Sequence, residues 1–328
     1  MKPEPRQVDI VWPSPSTLVW DQEELVDVTT GQRGRLDGSV SRRALNMTYR
    51  FDRAIGLRHG DVFWSIAYTN RATKAVLMKN GRVHRELNRS FYCAGSYDYP
   101  IAIAANRVGR VTVAHCPQDF DLLEIEDAES GGRLLKLKAK QHMEFHSRLT
   151  MSADGRFLLD AGWFWHPVCG ACVFDIDRRS DSSSEICDSV VFSSAKYEID
   201  GAAFLDDTHV VVSSSPEEFG EDIGSDALRP KQLGIWSLVD RRWESKVDLT
   251  EPTGTIMPWK KWIVSFYDHP KLIELVTGRI VHRWDQVFSG KQVGPIDLGD
   301  PPPPPMAIDW QRGRFAVSDS KKITVVTL

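Results

Sequence analysis

The residues of this chain whose types and spacing come closest to chemistry lie in one run, GWFWHPVCGAC, from Gly162 to Cys172. A Cys-x-x-Cys turn brings Cys169 and Cys172 near enough to bind a soft metal or to form a strained redox disulfide, and His166 upstream would supply a third ligand. A structural zinc wants four protein ligands, however, and no second pair of matching spacing exists. Cys172 falls where a strand begins, so the plainer alternative is a small buried residue. The same run holds Trp163, Phe164 and Trp165 beside His166 and Pro167. Such a cluster is either a packing plug or a contact platform, because large rings supply area at low entropic cost. Strand alternation cannot bury three consecutive rings on one face, which predicts that at least one of them is exposed.

A second constellation is Tyr97-Asp98-Tyr99-Pro100, His142, His146, Glu198 and Asp200, each placed just before an apolar, strand-forming run. If those runs are arranged radially, Asp98, His146 and Asp200 come from consecutive units near the mouth of a central channel. Carboxylates and a histidine converging there would hold a divalent metal and support hydrolysis. The alternative is that they are polar only to satisfy backbone donors and meet channel water. His142 and His146 also have the spacing of a helical metal pair, but their surroundings read as strand. Nucleotide-binding glycine motifs, the nucleophile elbow and the His-Glu-x-x-His metalloprotease signature are all missing. No cofactor is expected.

The elements that must position these residues are short strands. Val, Ile, Phe and Trp runs of about four to seven residues, separated by Gly, Asp, Ser and Pro clusters, dominate the chain. A weak unit of roughly 40 to 50 residues repeats. Aligned on the turn between its first two runs, it reads IVWPSPSTLVWD from Ile10, IGLRHGDVFWSI from Ile55, IAIAANRVGRVTVAH from Ile101 and LTMSADGRFLLDAG from Leu149. AAFLDDTHVVVSS from Ala202, IMPWKKWIVSFYD from Ile256 and AIDWQRGRFAVSD from Ala307 complete seven copies. Each is trailed by a third run, such as KAVLMKNG, ACVFDID or KLIELVTG, whose ending supplies the positive φ and side-chain hydrogen bonds of a tight reversal into a fourth strand.

This predicts a single all-β domain over 1–328, a seven-bladed β-propeller of four-stranded antiparallel blades. Its approximate blades are 8–40, 47–88, 95–138, 146–190, 197–248, 253–288 and 305–328. The last copy has only three runs, so the ring closes by pairing of terminal segments. Val8 to Trp12 is also wanted as the inner strand of the first copy, which leaves open which blade borrows what. The segment SADGRFLL followed by VFDID resembles the WD40-like propeller repeats of bacterial proteins. The resemblance implies the fold; the Asp-His-Ser/Thr-Trp network of eukaryotic WD40 repeats is not carried over, because Trp20-Asp21 and Trp284-Asp285 do not close successive third strands.

Composition narrows the role. With 41% apolar and 26% charged residues and a net charge of −4, the chain reads as a globular protein and not as a general nucleic-acid binder. It has no apolar stretch near the length that spans a bilayer, and the start MKPEPRQVDIVW lacks a leader pattern. Five cysteines, Cys93, Cys116, Cys169, Cys172 and Cys187, make no disulfide framework. A cytoplasmic location without nucleic-acid or membrane partners is expected. Ser214 to Lys231 reads as a long acidic loop, either solvated or contacting a partner, and Pro301 to Pro305 as a rigid extended strap. Basic pairs such as Arg42-Arg43 and Lys260-Lys261 read as solvated turn charge. The resulting expectation is a non-catalytic interaction or scaffold module that binds another protein through one rim, with Trp163, Phe164, Trp165, His166, Tyr97, Tyr99, Tyr267 and His269 as contacts. A metal-dependent hydrolase or lactonase with its site at the channel mouth, and a glycan-binding propeller, are the alternatives.

Overall fold

The computed structural model describes residues 4–138, 145–164, 168–177, 189–191, 198–216, 227–296 and 299–328. Every regular element among them is a strand, and the strands form seven antiparallel blades in a ring. Blade 2 shows the plan: Arg53–His59 is innermost, followed outward by Val62–Tyr68, Ala75–Lys79 and Arg82–Glu86. Blade 3 (Ile101–Ala105, Val111–His115, Leu122–Asp127, Arg133–Lys138) and blade 5 (Ile199–Phe204, His209–Ser214, Gln232–Ser237, Arg242–Asp248) repeat it. Blade 6 (Ile256–Trp259, Trp262–Ser265, Lys271–Glu274, Ile280–Arg283) has shorter strands. Blade 4 (Thr150–Met151, Phe157–Asp160, Cys172–Asp175, Ser189–Val191) inserts a two-stranded hairpin, Trp163–Phe164 with Val168–Cys169, between its second and third strands.

Blade 1 is Val19–Asp21, Glu24–Asp27 and Gln32–Arg35, with its fourth position filled only by residues 39–41, where Ser41 donates to the Arg33 carbonyl at 2.8 Å and Val40 bridges Gly34. Blade 7 consists of Met306–Asp309, Arg314–Ser318 and Ile323–Thr327, and Arg6–Ile10 completes it as the outermost strand, in register from Arg6 opposite Thr327 to Ile10 opposite Ile323. The terminal pairing therefore closes the ring. It also corrects the first aligned copy: Val8 to Ile10 belongs to the last blade, and WPSPST is the crossing to blade 1. Two prolines in that stretch remove the amide donors that an inner strand would need. In blades 2 to 7 the aligned segments do fall on the first two strands.

The core is distributed around the ring. Seven apolar clusters each join two neighbouring blades, for example Leu77, Ile66 and Trp64 with Ile101 and Val113 between blades 2 and 3, and Met257 and Val264 with Phe315 and Val326 between blades 6 and 7. Alternate residues of each blade face one neighbour and the rest face the other, so both faces of every blade are covered. An eighth cluster, Tyr97, Phe145 and Trp163, belongs to no such interface and lies among the loops of blades 2 to 4.

Because successive strands reverse, the turns joining first to second and third to fourth strands share one face of the ring. The loops joining second to third strands, and one blade to the next, share the other. These are called here the turn face and the loop face.

Candidate functional site

The constellations singled out from sequence lie on the loop face, and their geometry is built around the segment 87–100 that connects blades 2 and 3. Arg89 is buried there with no carboxylate against its guanidinium. It donates instead to the carbonyls of Ala72 (2.9 Å), Ala94 (2.6 Å), Asn70 (3.2 Å), Tyr97 (3.2 Å) and Asp98 (3.3 Å). Its flat cation also packs on the rings of Tyr97 and Tyr99, at 4.4 and 4.7 Å from their centroids. Burial pulls the Arg89 pKa down, and the neighbouring Tyr97 and Tyr99 side chains oppose this. Arginine alone offers five donors in a fork of fixed geometry and keeps its charge when desolvated, so one residue staples the whole loop.

Asp98 is the second node. Its carboxylate accepts from Asn70 Nδ2 (2.6 Å), Arg148 Nε (2.7 Å) and Gln292 Nε2 (3.1 Å), with Arg71 at 3.3 Å. Burial alone would raise its pKa, but Arg148 and Arg71 overcome this and hold the carboxyl below its usual range. The backbone N–H of Asp98 donates to the Pro295 carbonyl, and Ser147 Oγ donates to the Asp98 carbonyl at 2.7 Å. Four loops, three of them blade connections and the fourth the loop between the second and third strands of blade 2, thus meet on one aspartate. Among them is the connection from blade 6 to blade 7: it leaves blade 6 at Trp284, reaches Asp98 through Gln292 and Pro295, pairs Ile296 with Tyr97, and returns by Pro303, whose carbonyl accepts from Arg53. The proline run is the return limb of this strap.

His146 is fully buried. Its Nδ1 lies 2.5 Å from Asp160 Oδ2 and its Nε2 3.4 Å from the Asp121 carbonyl. Burial disfavours the imidazolium, but the Asp160 charge and hydrogen bond outweigh it and the pKa is raised. When protonated the ring donates from both nitrogens, and Asp160 also accepts from the Ser147 amide at 3.0 Å. Asp200 is buried at the start of blade 5, where its carbonyl accepts from Gly294 of the strap. Asp98, His146 and Asp200 are each tied to a different set of partners. Two guanidinium groups on Asp98 and a buried partner on His146 occupy the atoms that a cation would need, and no group of three or more His, Cys, Asp or Glu side chains suited to a metal occurs among the described residues.

The aromatic cluster is a plug at its centre. Phe145 and Trp163 exchange backbone hydrogen bonds of 3.1 Å and stack at 4.0 Å with an interplanar angle of 9°. Gly162 makes this approach feasible, since a Cβ there would collide with the Phe145 carbonyl. Tyr97 meets Phe145 edge-on, and Phe120 and Tyr92 extend the stack outward at centroid distances of 4.8 and 4.6 Å. Trp163, Tyr97 and Tyr99 are buried, so the expectation that they form a contact surface is revised: their rings pack inward because the hairpin and the Arg89-pinned loop close over them. Burial raises Tyr97 to a pKa of about 12, and Tyr99 donates its hydroxyl to the Leu87 carbonyl at 2.6 Å.

Trp165 and His166 lie outside the described residues, as do His142, Cys187 and 217–226 of the acidic loop; Phe164 is described in its backbone only. Cys169 and Cys172 are buried, and burial followed by the nearby Glu198 charge pushes the Cys169 thiol up, away from the thiolate that metal binding or exchange requires. Tyr267 and His269 are half-buried between the second and third strands of blade 6, with His269 Nδ1 2.9 Å from the Val287 carbonyl.

Exposure on this face belongs instead to residues the sequence reading passed over. Phe91 is 85% exposed and Tyr92 43%, at the tip of the loop that Arg89 holds, and Phe288 is exposed on the strap. The signal was present: SFYCAGSYDYP, like GWFWH, carries adjacent aromatic residues, and adjacent rings in a loop predict exposure in both. Arg89, Arg148 and Gln292 carried no comparable signal, since a single polar residue in a loop has no pattern to detect. The arrangement offers an aromatic tip on a loop fixed by Arg89. Comparison of the chain with protein-family models and with curated protein sequences returned no match. The seven-bladed ring is consistent with a WD40-like propeller.

Proposed function

We propose that this protein is a divergent WD40-like, cytoplasmic interaction module that binds another protein through its loop face, with Phe91 and Tyr92 as the anchor. The observation that carries this reading is the pairing of extremes within four residues: Phe91 stands almost fully in solvent while Arg89, two residues earlier, is buried under five carbonyls. An exposed ring on a loop already fixed in place loses little entropy when a partner covers it, which is what interface hot spots require. Phe288, His269 and Tyr267 lie on the same face and extend the contact.

The test separates anchor from plug. Phe91→Ala should abolish capture of a specific partner from cell extract while shifting the unfolding midpoint little, since surface substitutions usually fall within about 0.5 kcal/mol; Tyr92→Ala also removes a ring from the stack with Phe120 and should cost stability as well. Trp163→Ala should instead cost about 3–5 kcal/mol of stability. Retained capture by Phe91→Ala would place the contact elsewhere.

A further inference from the structure

The turn face carries a patch that the loop-face reading does not use. In blade 6, Trp259 and Trp262 are cross-strand partners around a two-residue turn, with ring centroids 6.0 Å apart. The turn residues Lys260 and Lys261 fold back over these rings, at 3.9 and 4.8 Å from the centroids. The next turn of blade 6 lies against this one, because Leu275 donates its amide to the Lys261 carbonyl at 3.0 Å, and it presents Val276, 75% exposed, and Arg279. On the other side the first turn of blade 7 packs on Trp259 through Gly313, where a Cβ would collide with the indole, and it presents Trp310, 41% exposed.

Lys260, Lys261 and Arg279 have no ion-pair partner among the described residues. Of the acidic groups nearby, Glu23 pairs with Arg314 and Arg312 and Asp309 pairs with Arg314, while Glu274 accepts from Thr277 Oγ1 at 2.8 Å and keeps its charge. Three cations without an ion-pair partner, against that one carboxylate, therefore lie around an exposed aliphatic tip and an exposed indole on the turns.

From this we infer that the turn face at blades 6 and 7 docks peripherally on an anionic lipid surface. The patch is built from the tips of three adjacent turns, which suits a planar bilayer better than a peptide that needs a groove. Lysine covers one face of Trp259, so the ring is poorly placed to stack a nucleobase. Indole at headgroup level, a valine reaching just below it and flanking basic side chains are the composition of interfacial anchors. Each basic residue near an anionic leaflet contributes about 1 kcal/mol, so three of them alter binding on the order of 100-fold, and no covalent anchor or membrane span is involved.

The experiment is co-flotation of the full chain with vesicles of phosphatidylcholine alone and of phosphatidylcholine containing about a third phosphatidylserine. Binding is expected only to the anionic vesicles, falling steeply as salt is raised. The triple variant Lys260→Gln, Lys261→Gln, Arg279→Gln should lose on the order of 100-fold in affinity. Trp310→Ser should weaken binding without changing the salt slope. Because loss of the two lysines also removes their contacts with the indoles, a thermal melt accompanies each variant, and the salt titration of the unmodified protein tests the electrostatics independently. Equal binding to both vesicle types, an unaffected triple variant that remains folded, or tight binding to a single-stranded oligonucleotide with no binding to anionic vesicles would each overturn the inference.

Discussion

The two faces of the ring are held together in opposite ways. On the loop face a few deeply buried polar nodes, Arg89, Asp98 and the His146–Asp160 pair, each tie several chain segments to one point. On the turn face many partly exposed ion pairs link neighbouring blades in series: Arg58 to Asp21 across blades 2 and 1, Lys79 to Glu129 across 2 and 3, Arg107 to Asp154 across 3 and 4, and Arg314 to Glu23 across 7 and 1. Tight hairpin turns have little backbone freedom and need no internal staple, so side-chain charge only trims their neighbours. Long connections such as 87–100 and 284–305 carry many backbone polar groups that strands do not satisfy, and a buried donor or carboxylate has to collect them. Connection length, more than residue type, decides where a buried charge is worth its desolvation.

The difference makes graded predictions. The largest effect is expected for Arg89→Ala, which leaves five carbonyls without their donor and should cost about 3–5 kcal/mol, read as a fall in the urea midpoint. Arg89→Lys should recover little, because a point charge on a flexible stem cannot reproduce the fork. A loss below about 1 kcal/mol would mean that the loop is held some other way, and the contrast between faces would collapse.

An intermediate effect is expected from His146, and its sign follows from linkage. The folded-state pKa is raised, so the folded protein holds the proton more tightly than the unfolded chain. The stabilisation is fully present below the unfolded value of about 6.5 and is lost as pH rises through the higher folded-state value. Unfolding free energy measured across that window should decline toward high pH, and the decline should be shallower in His146→Gln. Asp98 behaves in the opposite sense, since its lowered pKa stabilises above the ordinary carboxylate range and fails in acid. A pH-independent difference between wild type and His146→Gln would contradict the charged His146–Asp160 pair.

The smallest effect is expected from the exposed pairs. Arg107→Gln removes contacts to Asp154 and Asp177 yet should cost less than about 1 kcal/mol, and less still in high salt. A loss comparable to that of Arg89→Ala would show that the serial ion pairs act as a network.

Much of the ring could be read from the chain. Period-2 runs and glycine or aspartate turns recur so regularly that the number of blades and the first two strands of blades 2 to 7 follow from them. The first copy misled because Ile10 and Trp20 carry equally good strand patterns on either side of a proline-bearing link, and local pattern cannot show whether Arg6–Ile10 pairs with its own neighbour or with residues more than 300 positions away. The candidate site was harder to read. Trp163 and Tyr97 were identifiable as aromatic loop residues, but whether a ring is a plug or a platform depends on what lies above it. For Trp163 that is Phe145, and for Tyr97 it is Arg89.

By itself, then, the sequence determined the strand type, the repeat and the absence of the common catalytic motifs, because these depend on neighbours within a few residues. Tertiary structure alone decided that Asp98 pairs with guanidinium groups, that Trp163 is covered while Phe91 is bare, and that Lys260, Lys261 and Arg279 share one surface. Those outcomes rest on contacts between distant blades. Their energies depend on desolvation and on which groups meet, and neither quantity is written in the local order of residues.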